Sequence, residues 1–528
     1  MIRVSELKLP IEGNQKALEK KMAKALRVPV EEIKAYRIFK RSLDARKKDN
    51  IHYAYVVDVE VKNEKKILEK NKDKNISKTP DLDYKMLKGE TMPEKRPVVV
   101  GFGPAGMFAG LMLAEMGLKP IVLERGGDVE SRKEAVEAFW NTGKLDVENN
   151  VQFGEGGAGT FSDGKLTTRI KDPRCRKVLE EMVDAGAPEE ILYDAKPHIG
   201  TDLLRDVVKN IREKIKRLGG EVRFFAKVTG FQWKDDHIKA VLLADGETIE
   251  TNDVVLALGH SARDTFELLH AENFQLEQKP FAMGVRIEHP QKMVDYAQYG
   301  EAAHKLPAAD YRLTYTTEKG RGVYTFCMCP GGYVVAAASE EGRLAVNGMS
   351  EHARDGKNAN SALLVQVYPE DFGSEHPLAG MYFQRELEEK AFAAGGSDFT
   401  APVERVGSFL KTGMAEKMEV EGTYRPGKKE CSMDEIFPAF MTEALREALP
   451  AMGRKLKGFD RADALLTAVE SRSSSPIRIV RDEKGMSLRY KGVYPAGEGA
   501  GYAGGIVSAA VDGILAAEKI AERYGWAK

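Results

Sequence analysis

The sequence predicts an α/β protein: a Rossmann-like nucleotide-binding domain interrupted by an inserted α+β domain and preceded by a small α/β domain. Three observations carry that prediction. Val98-Val99-Val100 runs into Gly101-Phe102-Gly103-Pro104-Ala105-Gly106, so a buried strand opens onto glycines at G-x-G-x-x-G spacing. A second apolar strand, Pro120-Ile121-Val122-Leu123, then ends on an acid, Glu124, 23 residues after Gly101. Later, Asp253 to Gly259 reads as another buried strand closed by glycine. Finally, Gly492 to Ile506 again passes from strand through a glycine-rich loop into a helix. The expected boundaries are 1–90 for the N-terminal domain, 91–276 and 455–528 for the two parts of the nucleotide domain, and 277–454 for the insertion.

The first domain is set apart by charge. Residues 1–96 carry 25 Lys+Arg against 16 Asp+Glu, a net +9, whereas the remaining residues carry 55 against 65, a net −10. Ile2 to Leu9 reads as a strand, Asn14 to Leu26 as an amphipathic helix, and Ile33 to Ser42 with His52 to Val61 as a strand pair. The order β-α-β-β suggests a ferredoxin-like sandwich. The lysine-rich stretch Asn63 to Arg96 reads as a linker. A basic face of this kind suits an acidic protein or RNA, but no glycine-aromatic nucleic-acid motif accompanies it. A solvated surface on a docking domain is the simpler reading, and nucleic acid is not an expected partner.

In the nucleotide domain each glycine of the fingerprint has a task. Gly101 allows the tight turn, Gly103 lets backbone approach a phosphate, and Gly106 lets the next helix pack close to the strand. That helix, beginning at Pro104-Ala105 and running to about Met116, aims its free N–H groups at the phosphates. Glu124, followed by Arg125, is placed to accept from ribose hydroxyls. The loop Gln152 to Leu166 holds Gly154, Gly156, Gly157, Gly159 and Gly164 within eleven residues. Such glycine density lets amides turn toward an anion or a flat ring, and Thr160, Ser162 and Lys165 add donors.

The insertion reads as strands at Phe281 to Ile287, Tyr311 to Thr316, Gly322 to Met328, Tyr333 to Ala338 and Ser361 to Val367, with a helix at Met381 to Phe392. Within it, Cys327 and Cys329 fall on one face of a regular strand. Metal-ligand clustering is absent, no Ser-His-Asp order or phosphate-binding lysine loop emerges, and neither His198 nor His260 stands out as catalytic. No catalytic residue is assigned.

Taken together, Val98 to Glu124, Asn149 to Leu166, Thr325-Phe326-Cys327-Met328-Cys329-Pro330-Gly331-Gly332 and Pro495 to Ile506 resemble FAD-dependent oxidoreductases with the glutathione-reductase type of FAD domain. Within that superfamily the chain resembles, over nearly its whole length, a bacterial family of FAD-dependent dehydrogenases of undetermined substrate. In outline it is similar to geranylgeranyl reductases and flavin monooxygenases. The resemblance implies FAD as cofactor and an oxidoreductase passing a hydride through flavin N5 to or from a small-molecule substrate. It places Gly157, Gly159, Thr160, Lys165 and Gly259 toward the cofactor, with Gly497, Glu498, Gly504, Gly505 and Ile506 at the C-terminal helix. Glu498 stands where many relatives carry an aspartate.

The resemblance also implies that the insertion covers the flavin ring, so Cys327 and Cys329 read as lining the substrate pocket. Buried structural cysteine and redox thiol stay open as alternatives. No second complete glycine fingerprint follows a strand, so NAD(P)H, if used, is a transient donor, and an electron-transfer protein could replace it. The rival reading is a non-enzymatic flavoprotein, or an RNA- or protein-associated partner acting through the basic domain.

Composition fits an enzyme of this kind. The 528 residues suffice for several cores, with 42% apolar and 30% charged residues and a net charge of −1, which excludes a uniformly basic nucleic-acid binder. Met1 to Glu6 shows no apolar run of signal-peptide length, and no segment has the length of a membrane span. Four cysteines are too few for a disulfide framework. A cytoplasmic, reduced protein is expected.

Overall fold

The structure, a computed structural model, describes residues 1–528. The nucleotide domain is built on a five-stranded parallel sheet in the order Val493–Pro495, Val254–Leu256, Val98–Val100, Ile121–Leu123, Glu221–Arg223. Every strand is three residues long, and four of the five are entirely buried, as parallel strands covered on both faces must be. Helices Pro104–Glu115, Thr201–Arg217 and Ile506–Arg523 form its main covering layer, sharing a core in which Phe108, Met112, Ile211, Ile215 and Ile514 are fully or almost fully buried. A three-stranded antiparallel meander, Val228–Lys234, His237–Leu243 and Thr248–Glu250, joins the core on the other face. No helix is long and apolar enough to cross a membrane.

The first residues form a four-stranded antiparallel sheet in the order Ile33–Asp44, His52–Val61, Ile2–Pro10, Ile76–Lys78, with helices Gln15–Leu26 and Glu64–Lys70. This β-α-β-β-α-β order corrects the reading of Asn63 to Arg96 as linker: its first part supplies the second helix and the last strand. Short elements with many lysines hide their one buried apolar residue, Ile76, behind a polar composition. The sheet meets the nucleotide domain at Arg41. Its amide donates to Tyr193 O, its carbonyl accepts from Ala195, and its guanidinium forms a bidentate pair with Asp194 at 2.7 and 2.9 Å.

The insertion contains a seven-stranded sheet in the order Thr314–Thr316, Gly322–Cys329, Asn358–Val367, Phe281–Pro290, Leu465–Glu470, Ala401–Arg405, Lys428–Glu430. Leu465–Glu470 lies inside this sheet, paired with Phe281–Pro290 and Ala401–Arg405, so the boundary expected at residue 454 is corrected: the insertion extends past residue 470. A buried apolar run such as Leu465-Leu466-Thr467-Ala468-Val469 reads equally well as a strand of either sheet. The chain enters and leaves the insertion through a two-stranded antiparallel ribbon, Leu276–Gln278 paired with Ile477–Ile479.

Insertion and nucleotide domain are locked by a buried charge cluster. Glu388, on helix Ala379–Gly395, accepts two bonds from Arg263 of helix Arg263–Ala271 (2.7 and 2.9 Å) and two from Arg472 (2.7 and 3.0 Å). All three side chains are buried. Burial works against the Glu388 carboxylate, but the two guanidiniums overcome it and hold its pKa below the usual range.

Candidate functional site

A single cleft runs from the first glycine turn to the inner face of the insertion. It is lined by Gly101, Gly103, Pro104, Ala105, Glu124 and Arg125 at one end, then by Gly157, Gly159, Lys165 and Gly259, and at the other end by Glu498, Gly504, Gly505, Ile506 and Cys327.

The nucleotide end is made largely of backbone. Gly101 takes φ +98°, and a Cβ there would sit 2.3 Å from Ala257 O; a Cβ on Gly106 would lie 1.9 Å from Gly101 O. A Cβ on Gly103, by contrast, would meet nothing closer than the Gly157 Cα at 3.8 Å. Gly101 and Gly106 are therefore required by the protein's own packing, while Gly103 borders free space. Helix Pro104–Glu115 starts at Gly103 with no side-chain cap, and helix Ile506–Arg523 starts at Gly505 with none either. Two helix ends thus present free N–H groups and positive dipole ends to one cleft. A Cβ on Gly259, Gly504 or Gly505 would meet no atom within 4 Å. A glycine-lined cradle with two uncapped helix ends fits a dinucleotide whose pyrophosphate and ring edge carry negative charge.

Glu124 is fixed by three amides, accepting from Phe102 at 2.8 Å, Gly126 at 3.0 Å and Gly154 at 2.9 Å. It ties the first turn to the later glycine loop as well as facing the cleft. Arg125 pairs with Glu148 (2.7 Å) and, bidentately, with Asp264 (2.8 and 2.9 Å), and lies over the Phe153 ring.

The glycine loop is held by a residue that sequence reasoning missed. Arg132, on helix Val129–Thr142 and fully buried, donates to the carbonyls of Asn150 (2.8 Å), Val151 (2.8 Å) and Glu155 (2.7 Å), with a longer contact to Gly154. Burial pulls its pKa down to about 10, against the nearby Glu124 and Glu155. An arginine in an amphipathic helix gives no sequence signal of this role. Asp163, in the loop Gln152 to Leu166, is buried and accepts from Lys165 at 2.6 Å and from Ser350 and Arg354. An acid between glycines and two residues from a lysine was the available clue.

The cap end is made of charged and polar side chains. Strand Gly322–Cys329 loses register between Phe326 and Cys329, and Cys327 stands in the left-handed region at φ +41°. This corrects the expectation that both cysteines share one face of a regular strand. Cys327 lines the cleft, whereas Cys329 is fully buried behind it. Arg286, also fully buried, donates to Cys327 O at 3.1 Å from both terminal nitrogens, lies 3.7 Å from Cys329 Sγ, and faces Glu470 at 3.4 Å. The Lys165 ammonium donates to Met328 O. The hydrogen-bonded Cys329 thiol, with Arg286 and Lys165, pulls the Cys327 pKa below its ordinary value against burial, and Cys329 is pushed up in exchange. Burial raises Glu470 to about 7, opposed by Arg286, and raises Glu498 to about 7, opposed by Lys279. Arg472, Ser473 and Asn347 complete this end.

Some expected site residues lie elsewhere. The Thr160 hydroxyl donates to Glu155 O at 3.2 Å and the residue is buried inside the loop. The Gly497 amide donates to Asp512 at 2.7 Å, and a Cβ there would lie 2.7 Å from the Ala105 Cβ, so it serves helix packing. Gly106 likewise packs. His260 is at the cleft, bound to Ser261 Oγ at 2.8 Å, and burial lowers its pKa to about 3, leaving a neutral ring. No cluster of three or more His, Cys, Asp or Glu residues is arranged to hold a metal.

Comparison with known proteins adds the lineage. Residues 280–473 match the family described as FAD-dependent protein, C-terminal domain-like, and residues 1–60 match a domain of unknown function. An uncharacterized protein of Clostridium beijerinckii is 53% identical over 528 residues, covering 99% of both chains. Among solved structures, L-proline dehydrogenase from P. horikoshii is similar at 13% identity and TM-score 0.35, covering 82% of this chain and 95% of that one. The glycerol-3-phosphate dehydrogenase of Bacillus halodurans, complexed with FAD, is similar at 11% identity and TM-score 0.35, covering 83% and 66%. Likeness at that level carries no argument about the reaction. The full-length relative places this chain in one family with the Clostridium beijerinckii protein, and its insertion matches the model of an FAD-dependent protein's C-terminal domain.

Proposed function

We propose that the protein is an FAD-dependent oxidoreductase that transfers a hydride to or from a small polar substrate held between the flavin and the insertion. The observation that carries this reading is the continuity of one cleft from the Gly101–Ala105 turn to Cys327, Glu470 and Arg472. Bound there, FAD would supply a two-electron hydride acceptor or donor at N5. The chain's own residues do the rest. Gly103 and the N-terminus of helix Pro104–Glu115 would receive the pyrophosphate, Glu124 would hold the ribose, and the N-terminus of helix Ile506–Arg523 would favour negative charge on the ring. Lys165, Arg472, Asn347 and Ser473 supply polar contacts that suit a polar substrate better than an isoprenoid chain. Glu470 and Glu498, with carboxyls near 7, can hold or release a proton beside the hydride at neutral pH.

With no second glycine fingerprint in the chain, NADH or NADPH would visit the flavin and leave, or an electron-transfer protein would take its place. The test is to release the cofactor from purified protein by heat, identify it by chromatography, and titrate the holoprotein anaerobically with NADH and NADPH. The expected result is FAD, with flavin bleaching that depends weakly and saturably on nicotinamide, or none with nicotinamide and reduction by another donor. FMN, or no flavin from well-folded protein, overturns the reading. So does tight NAD(P)H binding to FAD-free protein.

A further inference from the structure

We propose that Cys327 and Cys329 form a dithiol–disulfide couple that exchanges with a small disulfide in the cleft, Cys327 attacking and Cys329 resolving. Four observations meet at this point. The strand carrying both residues is bulged between Phe326 and Cys329, and Cys327 is held at φ +41°, a region a cysteine rarely occupies without being forced there by its surroundings. The bulge separates the roles, since Cys327 lines the cleft and Cys329 lies buried behind it. The Cys329 thiol nonetheless turns back on its neighbour, donating to Cys327 O at 3.3 Å. Residues two apart span at most about 7 Å along an extended chain, the upper edge of what a disulfide bridges, and a bulge bends the strand. Finally, two cations surround the pair: the buried Arg286 guanidinium reaches Cys327 O and Cys329 Sγ, and the Lys165 ammonium donates to Met328 O between them. A cleft-facing thiol beside two cations and a second thiol within reach is the arrangement that thiol–disulfide exchange requires.

The electrons balance without any further group. The Cys327 thiolate attacks one sulfur of R–S–S–R′, so that a Cys327–S–R bond forms, the substrate S–S bond breaks and R′–S⁻ leaves. Cys329 gives its proton to water and attacks Cys327 Sγ; the 327–329 bridge forms and R–S⁻ leaves. The pair is oxidised by two electrons and the substrate is reduced to two thiols. Lys165 and Arg472 line the cleft but are already paired, with Asp163 at 2.6 Å and with Glu388 at 2.7 and 3.0 Å, so what the site asks of the substrate is its disulfide. The couple rests on the flavin reading only for the two electrons that would restore it.

The test uses reduced, desalted holoprotein with oxidised glutathione as the probe. After acid quenching and tryptic digestion, the peptide containing residues 327 and 329 should appear lighter by two hydrogens. Cys329→Ser should instead stop at a glutathione adduct on Cys327, and Cys327→Ser should give neither. Iodoacetamide should modify Cys327 at pH 7 at least about tenfold faster than the partly exposed Cys175, as a thiolate of lowered pKa would react. Absence of the bridge in the wild-type protein, or equal alkylation of Cys327 and Cys175, overturns the proposal. FAD content is measured on the same samples, so a protein that forms the bridge but holds no FAD would defeat the flavin reading and leave the thiol couple standing.

Discussion

At the nucleotide end of the cleft the recognising groups are mostly backbone amides, helix ends and glycines drawn from short, contiguous segments. At the cap end they are side chains, Lys165, Cys327, Glu470 and Arg472, backed by the buried Arg286 and contributed by segments more than 300 residues apart. The contrast follows from what each end must do. Binding a pyrophosphate needs only close approach and fixed dipoles, which backbone provides wherever side chains are missing. The cap end instead gathers fixed arginine charges around a thiol and a carboxyl that can titrate, and the pKa values of those two are set by burial and by their neighbours. The first design fails through sterics and the second through electrostatics, and substitutions can separate the two.

The largest effect is expected from glycines with opposite surroundings. Gly106→Val would drive a side chain into Gly101 O, where even a Cβ would sit at 1.9 Å, and should abolish folding. Gly103→Val, bordering free space, should give folded protein without FAD. Soluble yield, far-UV circular dichroism and cofactor content distinguish them. If both variants fold and retain FAD, the nucleotide end is not built as described here.

A smaller effect tests the junction of the two ends. Glu388→Ala removes the one fully buried carboxylate that binds both Arg263 and Arg472, leaving Arg263 with Glu340 at 2.6 Å and Arg472 with Glu340 only at 3.6 Å, a loss of up to about 3–5 kcal/mol. Chemical denaturation should show it as a lower midpoint, and limited proteolysis should show faster cleavage near the ribbon at residues 276–278 and 477–479. An unchanged midpoint would mean the cluster is dispensable for locking the insertion.

The smallest effect is a pH slope. Burial raises the Glu470 carboxyl from 4.5 to about 7 in the folded protein, so the native state keeps a proton that the unfolded chain has released. The associated stability is full below pH 4.5 and is lost as pH rises through 7. Glutamine cannot titrate, and Arg286 stays charged throughout, adding a constant offset. The Tm of Glu470→Gln relative to the wild-type protein should therefore rise by a few degrees from pH 5 to pH 7.5 and level off above. A difference independent of pH would show that the Glu470 pKa is not raised by folding.

The same contrast governs what was legible in the sequence. Gly101 to Gly106, Glu124 and the strand at Val254 could be read because local spacing alone defines a turn, a strand and a helix start. Arg132 and Arg286 could not, since what makes each important is a set of partners distant in sequence, and a buried arginine looks like any other until its neighbours are known. Leu465–Glu470 was given to the wrong domain for a related reason: apolar runs announce burial but not which sheet does the burying. Cys327 and Cys329 were visible as a pair, yet the bulge that separates their roles arises from pairing with Asn358–Val367 and leaves no mark in the pattern.

The ribbon formed by Leu276–Gln278 and Ile477–Ile479 brings the two crossing points of the insertion side by side. About two hundred residues are therefore joined to the nucleotide domain in covalent terms through two adjacent, hydrogen-bonded strands, so a short turn can bridge the ends that the insertion leaves. The fold is in this sense a socket and a cassette. A lineage that exchanged only the segment between residues 279 and 476, keeping partners for Arg263 and Asp163, would change the cap end of the cleft and keep its glycine-lined end.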